Sequence, residues 1–197
     1  MQISAEFVTS ASGAGDFPRD RLPEVALVGR SNVGKSSLLN ALVRRSVART
    51  SAAPGKTRLA NFYRVQRGTA PALFLVDLPG YGYARGGDAS AREFKGLVEA
   101  YFSRVGAVAI GVLLLVDSRH PGLDSDMEAW EWLESQPVPH GVIGTKVDKL
   151  TRAERARHAR EFETLFDRPV PLVSASTGEG LDELWKMIAR LPSQTAA

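Results

Sequence analysis

The chain has 197 residues, a formal net charge of +3 and no cysteine. That length suits a single domain with a sizeable core, and the missing cysteine excludes disulfides, thiolate metal sites and cysteine nucleophiles. The first twenty residues lack the apolar core of a secretory signal, and the longest apolar stretch, residues 105–116, is too short to span a bilayer. We therefore expect a cytoplasmic protein that has no membrane partner.

Short apolar runs alternate with helical patterns along the chain. In chain order the patterns predict strand 25–28, helix 36–45, strands 61–66 and 72–76, helix 89–104, strand 109–116, helix 124–135, strand 142–145, helix 151–166, strand 170–173 and helix 180–191. Continuous apolar strands between helices are typical of a sheet covered on both faces. We predict an α/β fold with a doubly wound, mainly parallel six-stranded sheet and helices on both faces.

Domain organisation follows from the same pattern. We expect one domain over residues 22–191, a weakly ordered N-terminal segment over residues 1–21 and a C-terminal tail over residues 192–197. In a doubly wound sheet, ligands bind beyond the carboxyl ends of the strands. The motifs described next all fall there.

A glycine-rich segment follows the first predicted strand and opens the first predicted helix. It matches the P-loop pattern G-x-x-x-x-G-K-[ST] and consists of Gly29, Arg30, Ser31, Asn32, Val33, Gly34, Lys35 and Ser36. Such a loop wraps a diphosphate with its N–H groups, and the helix N-terminus adds positive potential. We expect Lys35 to reach the β- and γ-phosphates and the Ser36 hydroxyl to bind Mg²⁺. An ordinary turn would explain the glycines but not the Lys-Ser pair.

A second motif follows the predicted strand 72–76. It consists of Asp77, Leu78, Pro79 and Gly80. An Asp at this strand end can hold Mg²⁺, and the Gly80 N–H can sense a γ-phosphate. A simple Pro-Gly turn is the alternative, which the nearby P-loop makes less attractive.

A third motif can read the nucleotide base. Residues Thr145, Lys146, Val147 and Asp148 are similar to the guanine-reading pattern [NT]-K-x-D of GTPases. A carboxylate can accept two N–H bonds from guanine, adenine offers no such pair, and a lysine stem can cover the purine face. A loop N–H near the guanine oxygen could come from Ser174, Ala175 and Ser176, although alone this tripeptide fits a plain polar loop equally well.

A hydroxyl that reports on the γ-phosphate is expected between the first helix and the second strand. The candidate segment there contains Gly55, Lys56 and Thr57. A flexible loop could bring Thr57 to Mg²⁺ only when the γ-phosphate is present, which would make a switch. Thr50 is the rival candidate on position alone.

Together these motifs make the chain resemble the EngB family of bacterial ribosome-biogenesis GTPases, within the TrmE-Era-EngA-EngB-Septin-like class. The matching runs are residues 29–40, 54–57, 61–62, 77–83, 115–119 and 145–149. The resemblance implies a GTPase, with bound GTP or GDP, that is needed to assemble the large (50S) ribosomal subunit and, through that role, for cell division and septation. It implies ribosomal RNA or ribosomal proteins as partners, and Mg²⁺ held by Ser36 and Thr57. We expect a monomer and no DNA partner.

Two residues, Tyr81 and Asn32, bear on the expected rate of GTP hydrolysis. Tyr81 follows Gly80 where better-known small GTPases carry a Gln that orients the attacking water, so we expect slow hydrolysis. Related GTPases with Asn at the position of Asn32 use it to hold K⁺, although Asn32 could instead only stabilise the loop. The expected catalytic residues are therefore Lys35, Thr57, Gly80 and Asn32.

Charge is distributed unevenly. Residues 25–76 contain nine Lys or Arg and no acid, whereas residues 121–134 contain five acids and no Lys or Arg. The basic stretch either binds a polyanion or serves the nucleotide and solvent. Its candidate RNA contacts are Arg44, Arg45, Arg49 and Arg64. An ATP-using P-loop enzyme and a nucleotide-dependent module without hydrolysis are the alternative functions.

Overall fold

The computed structural model of the chain describes residues 2–48, 59–81 and 87–196. Its strands are β1 (Ile3–Ala11), β2 (Glu24–Gly29), β3 (Ala60–Arg67), β4 (Leu73–Asp77), β5 (Ile110–Asp117) and β6 (His140–Thr145). Its helices are α1 (Lys35–Val43), α2 (Gly87–Phe102), α3 (Asp124–Glu134), α4 (Arg152–Phe166) and α5 (Leu181–Arg190). Short 3₁₀ turns cover Ala14–Asp16, Val147–Lys149 and Leu191–Ala196.

The strands form one six-stranded sheet in the order β1-β3-β4-β2-β5-β6. The pairings β2–β4, β2–β5 and β5–β6 are parallel, and β1–β3 and β3–β4 are antiparallel. The parallel strands β4, β2, β5 and β6 therefore end at the same edge of the sheet, which is where the predicted motifs of residues 29–36, 77–80 and 145–148 lie.

Helices cover both faces of the sheet. In β2, Ala26 and Val28 face a core shared with α2, α3 and α4, while Val25 and Leu27 face a core shared with α1 and α5. Because both faces are buried, these strands are apolar throughout rather than alternating. This confirms the predicted fold class.

The N-terminal segment corrects one prediction. Residues 1–21 were expected to be weakly ordered, but residues 3–11 form β1, which pairs with β3 along the edge of the sheet. The register shifts between Phe7 and Thr9, so Val8 is an extra, unpaired residue. One extra residue reverses the alternation. Ala5 therefore packs into the α1–α5 core and Ala11 into the opposite core.

The C-terminal part corrects two details. The predicted strand 170–173 is reduced to a single bridge between Gly144 and Leu172, so β1 rather than this segment supplies the sixth strand. Residues 192–197 were expected to form a tail. In the structure Leu191–Ala196 form a 3₁₀ turn, and Leu191 is buried. Leu191 lies so close to β5 that a side chain at Gly111 would come within 2.6 Å of its Cβ. Among the residues described, no helix is both long and apolar enough to cross a membrane.

Candidate nucleotide-binding site

The P-loop joins the end of β2 to the start of α1, and tight packing explains its glycines. A Cβ on Gly29 would lie 2.7 Å from the carbonyl oxygen of Leu115 on the neighbouring strand. Gly34 precedes the helix with φ 111°, in the left-handed region that glycine tolerates best. The helix α1 starts directly after Gly34, and the first N–H groups of a helix lack partners within the helix, which is what anion binding requires.

Lys35 lies beneath this loop. Its side chain is buried, and its Nζ donates to the carbonyl oxygens of Gly29 at 3.0 Å and Arg30 at 3.2 Å. Burial lowers the pKa of Lys35, and the charge of Asp77 opposes that change. The loop therefore holds a cation on its inner side, where phosphate oxygens could replace the two carbonyls as partners.

Ser36 and Asp77 meet at the carboxyl ends of β2 and β4. The Ser36 hydroxyl donates to Asp77 Oδ2 at 2.7 Å. Asp77 is buried, and its Oδ1 has no hydrogen-bond partner among the described residues. Burial raises the pKa of Asp77, while Lys35 and Ser36 oppose the rise. A hydroxyl beside an orphaned carboxylate oxygen fits the oxygen ligands that Mg²⁺ prefers. The third predicted ligand, Thr57, lies outside the described residues, as do Gly55 and Lys56.

The motif that begins at Asp77 lies against the P-loop. A Cβ on Gly80 would lie 2.7 Å from the backbone nitrogen of Ser31. That same nitrogen donates to the Tyr81 carbonyl at 3.1 Å, and Leu78 is buried beneath. Only a glycine at position 80 therefore permits this approach.

Thr145 serves the P-loop directly. Its hydroxyl donates to the carbonyl of Val33 at 2.8 Å and approaches that of Val116 at 3.2 Å, in a buried setting. The next residue, Lys146, has φ 60°, and its Nζ donates to the Asn32 carbonyl at 2.7 Å. The third motif is thus tied to the first through two side chains. The Asn32 side chain is exposed, and K⁺ binding there stays a prediction.

Asp148, the predicted base-reading residue, is paired with Ser174. Ser174 is buried, and its hydroxyl donates to Asp148 Oδ1 at 2.6 Å. The same oxygen of Ser174 accepts from the N–H groups of Ser176 and Thr177, each at 3.1 Å. The hydrogen bond from the Ser174 hydroxyl lowers the pKa of Asp148. The weak tripeptide Ser174–Ala175–Ser176 is thereby joined to the stronger motif, and the Val147 N–H also donates to the Val173 carbonyl at 3.2 Å.

Two acidic residues, Asp117 and Asp126, contact residues of the site, and the sequence patterns did not predict these contacts. Asp117, at the end of β5, pairs with Lys146 Nζ at 2.9 Å and with Arg119 at 2.7 Å. Burial alone would raise the pKa of Asp117, but the bonds from Arg119 and Lys146 outweigh it and lower the pKa. Asp126, in the first turn of α3, contacts Arg30 and Tyr81. The sequence signal for Asp117 was an acid at a strand end, like Asp77; nothing local distinguishes Asp126 from an acid that favours a helix start.

Comparisons with known proteins agree with this geometry. A family model described as "50S ribosome-binding GTPase" matches residues 24–146. A protein of Pelotomaculum thermopropionicum, described as "Probable GTP-binding protein EngB", is 47% identical over 196 aligned residues, which span 95% of this chain and 94% of that protein. The chain belongs to the EngB family. An EngB relative from Thermotoga maritima is 44% identical over 94% of this chain and 95% of its own length.

Solved structures share the EngB-family fold. A crystal structure described as a probable GTP-binding protein EngB superposes with a TM-score of 0.65 at 20% identity, covering 87% of this chain and 99% of that one. Era from Aquifex aeolicus, bound to GDP and AlF₄⁻, gives a TM-score of 0.71 at 24% identity and covers 87% of this chain. This chain spans 57% of that Era chain. At such identities the likeness concerns the fold alone.

Proposed function

We propose that this EngB-family protein binds GTP with Mg²⁺, hydrolyses it slowly, and uses its GTP and GDP states as a switch in assembly of the 50S subunit. The observation that carries the proposal is that one short segment, residues 145–148, contacts the candidate phosphate cradle at one end and carries the candidate base-reading carboxylate at the other. Lys146 joins the two parts through the Asn32 carbonyl, and Ser174 fixes Asp148. The family description as a 50S ribosome-binding GTPase supports the partner.

Phosphoryl transfer needs positioning and charge neutralisation more than covalent chemistry from the protein. Lys35 and the P-loop N–H groups at the start of α1 hold the β- and γ-phosphates. Ser36 and Asp77, with Thr57 when GTP is bound, would hold Mg²⁺, which supplies further positive charge when bound. The Gly80 N–H donates to the γ-phosphate. When hydrolysis removes the γ-phosphate, this hydrogen bond is lost and the segment after Asp77 is released.

The slow intrinsic rate that we propose rests on Tyr81, which stands where better-known GTPases carry the water-orienting Gln. The Tyr81 hydroxyl, at the position that follows Gly80, donates to Asp126 at 2.7 Å rather than facing the P-loop interior. The Tyr81 side chain therefore supplies no amide to orient the attacking water. We include K⁺ beside Asn32 as part of the proposal, since a second cation would offset charge that the Tyr81 side chain does not. Equal turnover in KCl and NaCl at matched ionic strength would contradict the K⁺ site.

Of the four candidate RNA contacts, Arg44 and Arg45 directly follow α1 and Arg64 lies in β3, while Arg49 lies outside the described residues. Arg64 lies 4.0 Å from Glu6, and Arg67 pairs with Asp182 at 2.7 Å. Arg44 and Arg45 are exposed and have no ion pair within residues 2–48, 59–81 and 87–196. Phosphate contacts through such cations release counterions, so that binding weakens steeply as salt rises.

Co-sedimentation with purified 50S subunits tests the proposal. The wild-type protein is mixed with subunits in GDP, in a non-hydrolysable GTP analogue, or without nucleotide, at two salt concentrations. We expect binding that depends on the nucleotide and falls with salt, and that is lost in an Arg44→Glu, Arg45→Glu double variant. The matched control is Arg152→Glu, Arg160→Glu, which makes the same charge change at exposed positions of α4. Equal binding in all three nucleotide states would contradict the switch, and equal loss in both double variants would contradict the assigned surface.

A further inference from the structure

A buried carboxylate connects three segments beside the γ-phosphate end of the site. Asp126, in the first turn of α3, is fully buried. The Tyr81 hydroxyl donates to its Oδ1 at 2.7 Å. The Nε of Arg30 lies 3.2 Å and 3.3 Å from its two oxygens. Arg30 belongs to the P-loop and Tyr81 directly follows Gly80, so one acid of α3 holds both of the segments that meet at the γ-phosphate.

The backbone fastens the same two segments. The Ser31 N–H donates to the Tyr81 carbonyl at 3.1 Å, and Arg30 and Tyr81 form a parallel bridge. Gly80 lies so close to Ser31 that a Cβ would come within 2.7 Å of its nitrogen. The position of the Gly80 N–H therefore depends on where Tyr81 is held, and the Tyr81 side chain is held by Asp126.

Burying the Asp126 carboxylate costs free energy, so its presence here calls for an explanation other than stability. Removing a carboxylate from water carries a penalty that its ion pair seldom repays in full, and apolar packing is often at least as stable. Burial raises the pKa of Asp126, which the bonds from Tyr81 and Arg30 oppose, and burial raises the pKa of the Tyr81 phenol. Buried, fully bonded polar groups define one geometry more sharply than apolar contacts do. A defined geometry is what a γ-phosphate sensor needs.

We propose that Asp126 is a positioning residue that acts through Tyr81 to hold the Gly80 N–H against the P-loop, where a γ-phosphate is sensed. The inference rests on the proposed GTP-binding function. It gives Tyr81 a role in place of the missing Gln: it anchors the sensing segment instead of orienting water. Because GDP lacks the γ-phosphate, the latch formed by Asp126, Tyr81 and Arg30 favours GTP over GDP and leaves GDP binding to the P-loop itself.

The test compares two variants with a matched control. Tyr81→Phe removes only the hydroxyl, and Asp126→Asn removes the charge and turns one of the two acceptor oxygens into a donor. Asp124→Asn removes a charge from the same first turn of α3, but at an exposed position. Two quantities are measured for each protein: amide hydrogen exchange of Ser31 in nucleotide-free protein by NMR, and the affinities for GDP and for a non-hydrolysable GTP analogue.

We expect Tyr81→Phe and Asp126→Asn to exchange the Ser31 amide about tenfold faster or more, because a hydrogen bond to a charged group is lost. The affinity for the GTP analogue should fall by a similar factor of about ten, while GDP affinity changes by less than about twofold. Asp124→Asn should match the wild type in both. If Asp126→Asn fails to fold, Tyr81→Phe alone decides the result.

Two contrary outcomes are distinguishable. Wild-type exchange and wild-type nucleotide affinities in both variants would overturn the latch while leaving the proposed function intact. An equal loss of GDP and GTP-analogue affinity would also overturn it, since that pattern shows general damage to the P-loop. A wild-type protein that bound neither nucleotide would instead overturn the proposed function, and with it the purpose assigned to the latch.

Discussion

At the scale of single residues, Thr145 shows how one hydroxyl can take the place of an amide. The guanine-reading pattern more often begins with Asn, and a Thr can supply only one hydroxyl at that point. In the structure that hydroxyl is buried and bonded to the carbonyls of Val33 and Val116. It therefore connects β6, β5 and the P-loop, and its contribution concerns the shape of the phosphate cradle rather than contact with the base.

Replacing Thr145 by Val, which has the same shape, should remove those bonds and leave two buried carbonyls less well satisfied. We expect the free energy of unfolding to fall by about 1 kcal/mol. The affinities for GTP and GDP should fall together, because both nucleotides use the same cradle. Urea unfolding and nucleotide titration measure the two effects.

Thr164→Val is the control for this substitution. Thr164 is an exposed residue of α4 whose hydroxyl bonds the Arg160 carbonyl one turn earlier. This variant makes the same chemical change far from the P-loop and should bind both nucleotides as the wild type does. Unchanged nucleotide affinity in Thr145→Val would show that the hydroxyl does not support the cradle.

At the scale of elements, the sequence predicts those that carry strong local signals. The helix 151–166 is found as Arg152–Phe166, with the side chains of Thr151 and Glu154 forming the reciprocal cap that their spacing predicts. The prediction of a strand over residues 170–173 is wrong, and the reason can be identified. Pro171 lacks the N–H that a ladder needs, so only one bridge forms there.

β1 was missed because its pattern is weak. It is an edge strand with exposed Ser4, Glu6 and Val8, and its bulge breaks the alternation that marks a half-buried strand. The candidate site shows the same limit of prediction from local sequence patterns. Motif spacing predicts the P-loop, Gly80 and Asp148, whereas the contact of Asp126 with Arg30 spans 96 residues and depends on the tertiary fold.

The bulge in β1 makes a prediction with an internal control. Ala5 and Ala11 are buried on opposite faces, and Val8 between them is exposed. Ala5→Glu and Ala11→Glu should each lower the free energy of unfolding by about 2 kcal/mol or more, because each buries a charge. Val8→Glu should change it by less than about 0.5 kcal/mol.

Urea unfolding of the three β1 variants decides between a paired strand and a loose N-terminal segment. Equal, small effects in all three would mean that residues 3–11 are not packed. A large effect at Val8 would mean that the bulge lies elsewhere and that the register of β1 is different.

At the scale of the whole molecule, the sheet places two candidate recognition sites on separate loops at one edge. The loop after β2 holds the candidate phosphate cradle, with Lys35 beneath it, and the loops after β6 and residue 173 hold Asp148 and Ser174. Lys146 spans the gap through Asn32. The whole proposal depends on this division, in which one part grips the phosphates and a distinct carboxylate selects the base.

Nucleotide competition with Asp148→Asn tests that division most directly. A carboxylate accepts two N–H bonds from guanine, whereas an amide offers one acceptor and one donor and suits xanthine, which carries a carbonyl oxygen where guanine carries its amino group. We predict that the variant loses about 100-fold or more in GTP affinity, because charge-assisted bonds are lost, and gains affinity for XTP. The wild type should prefer GTP. A variant that still preferred GTP over XTP with wild-type affinity would contradict the assignment of Asp148 and the function proposed from it.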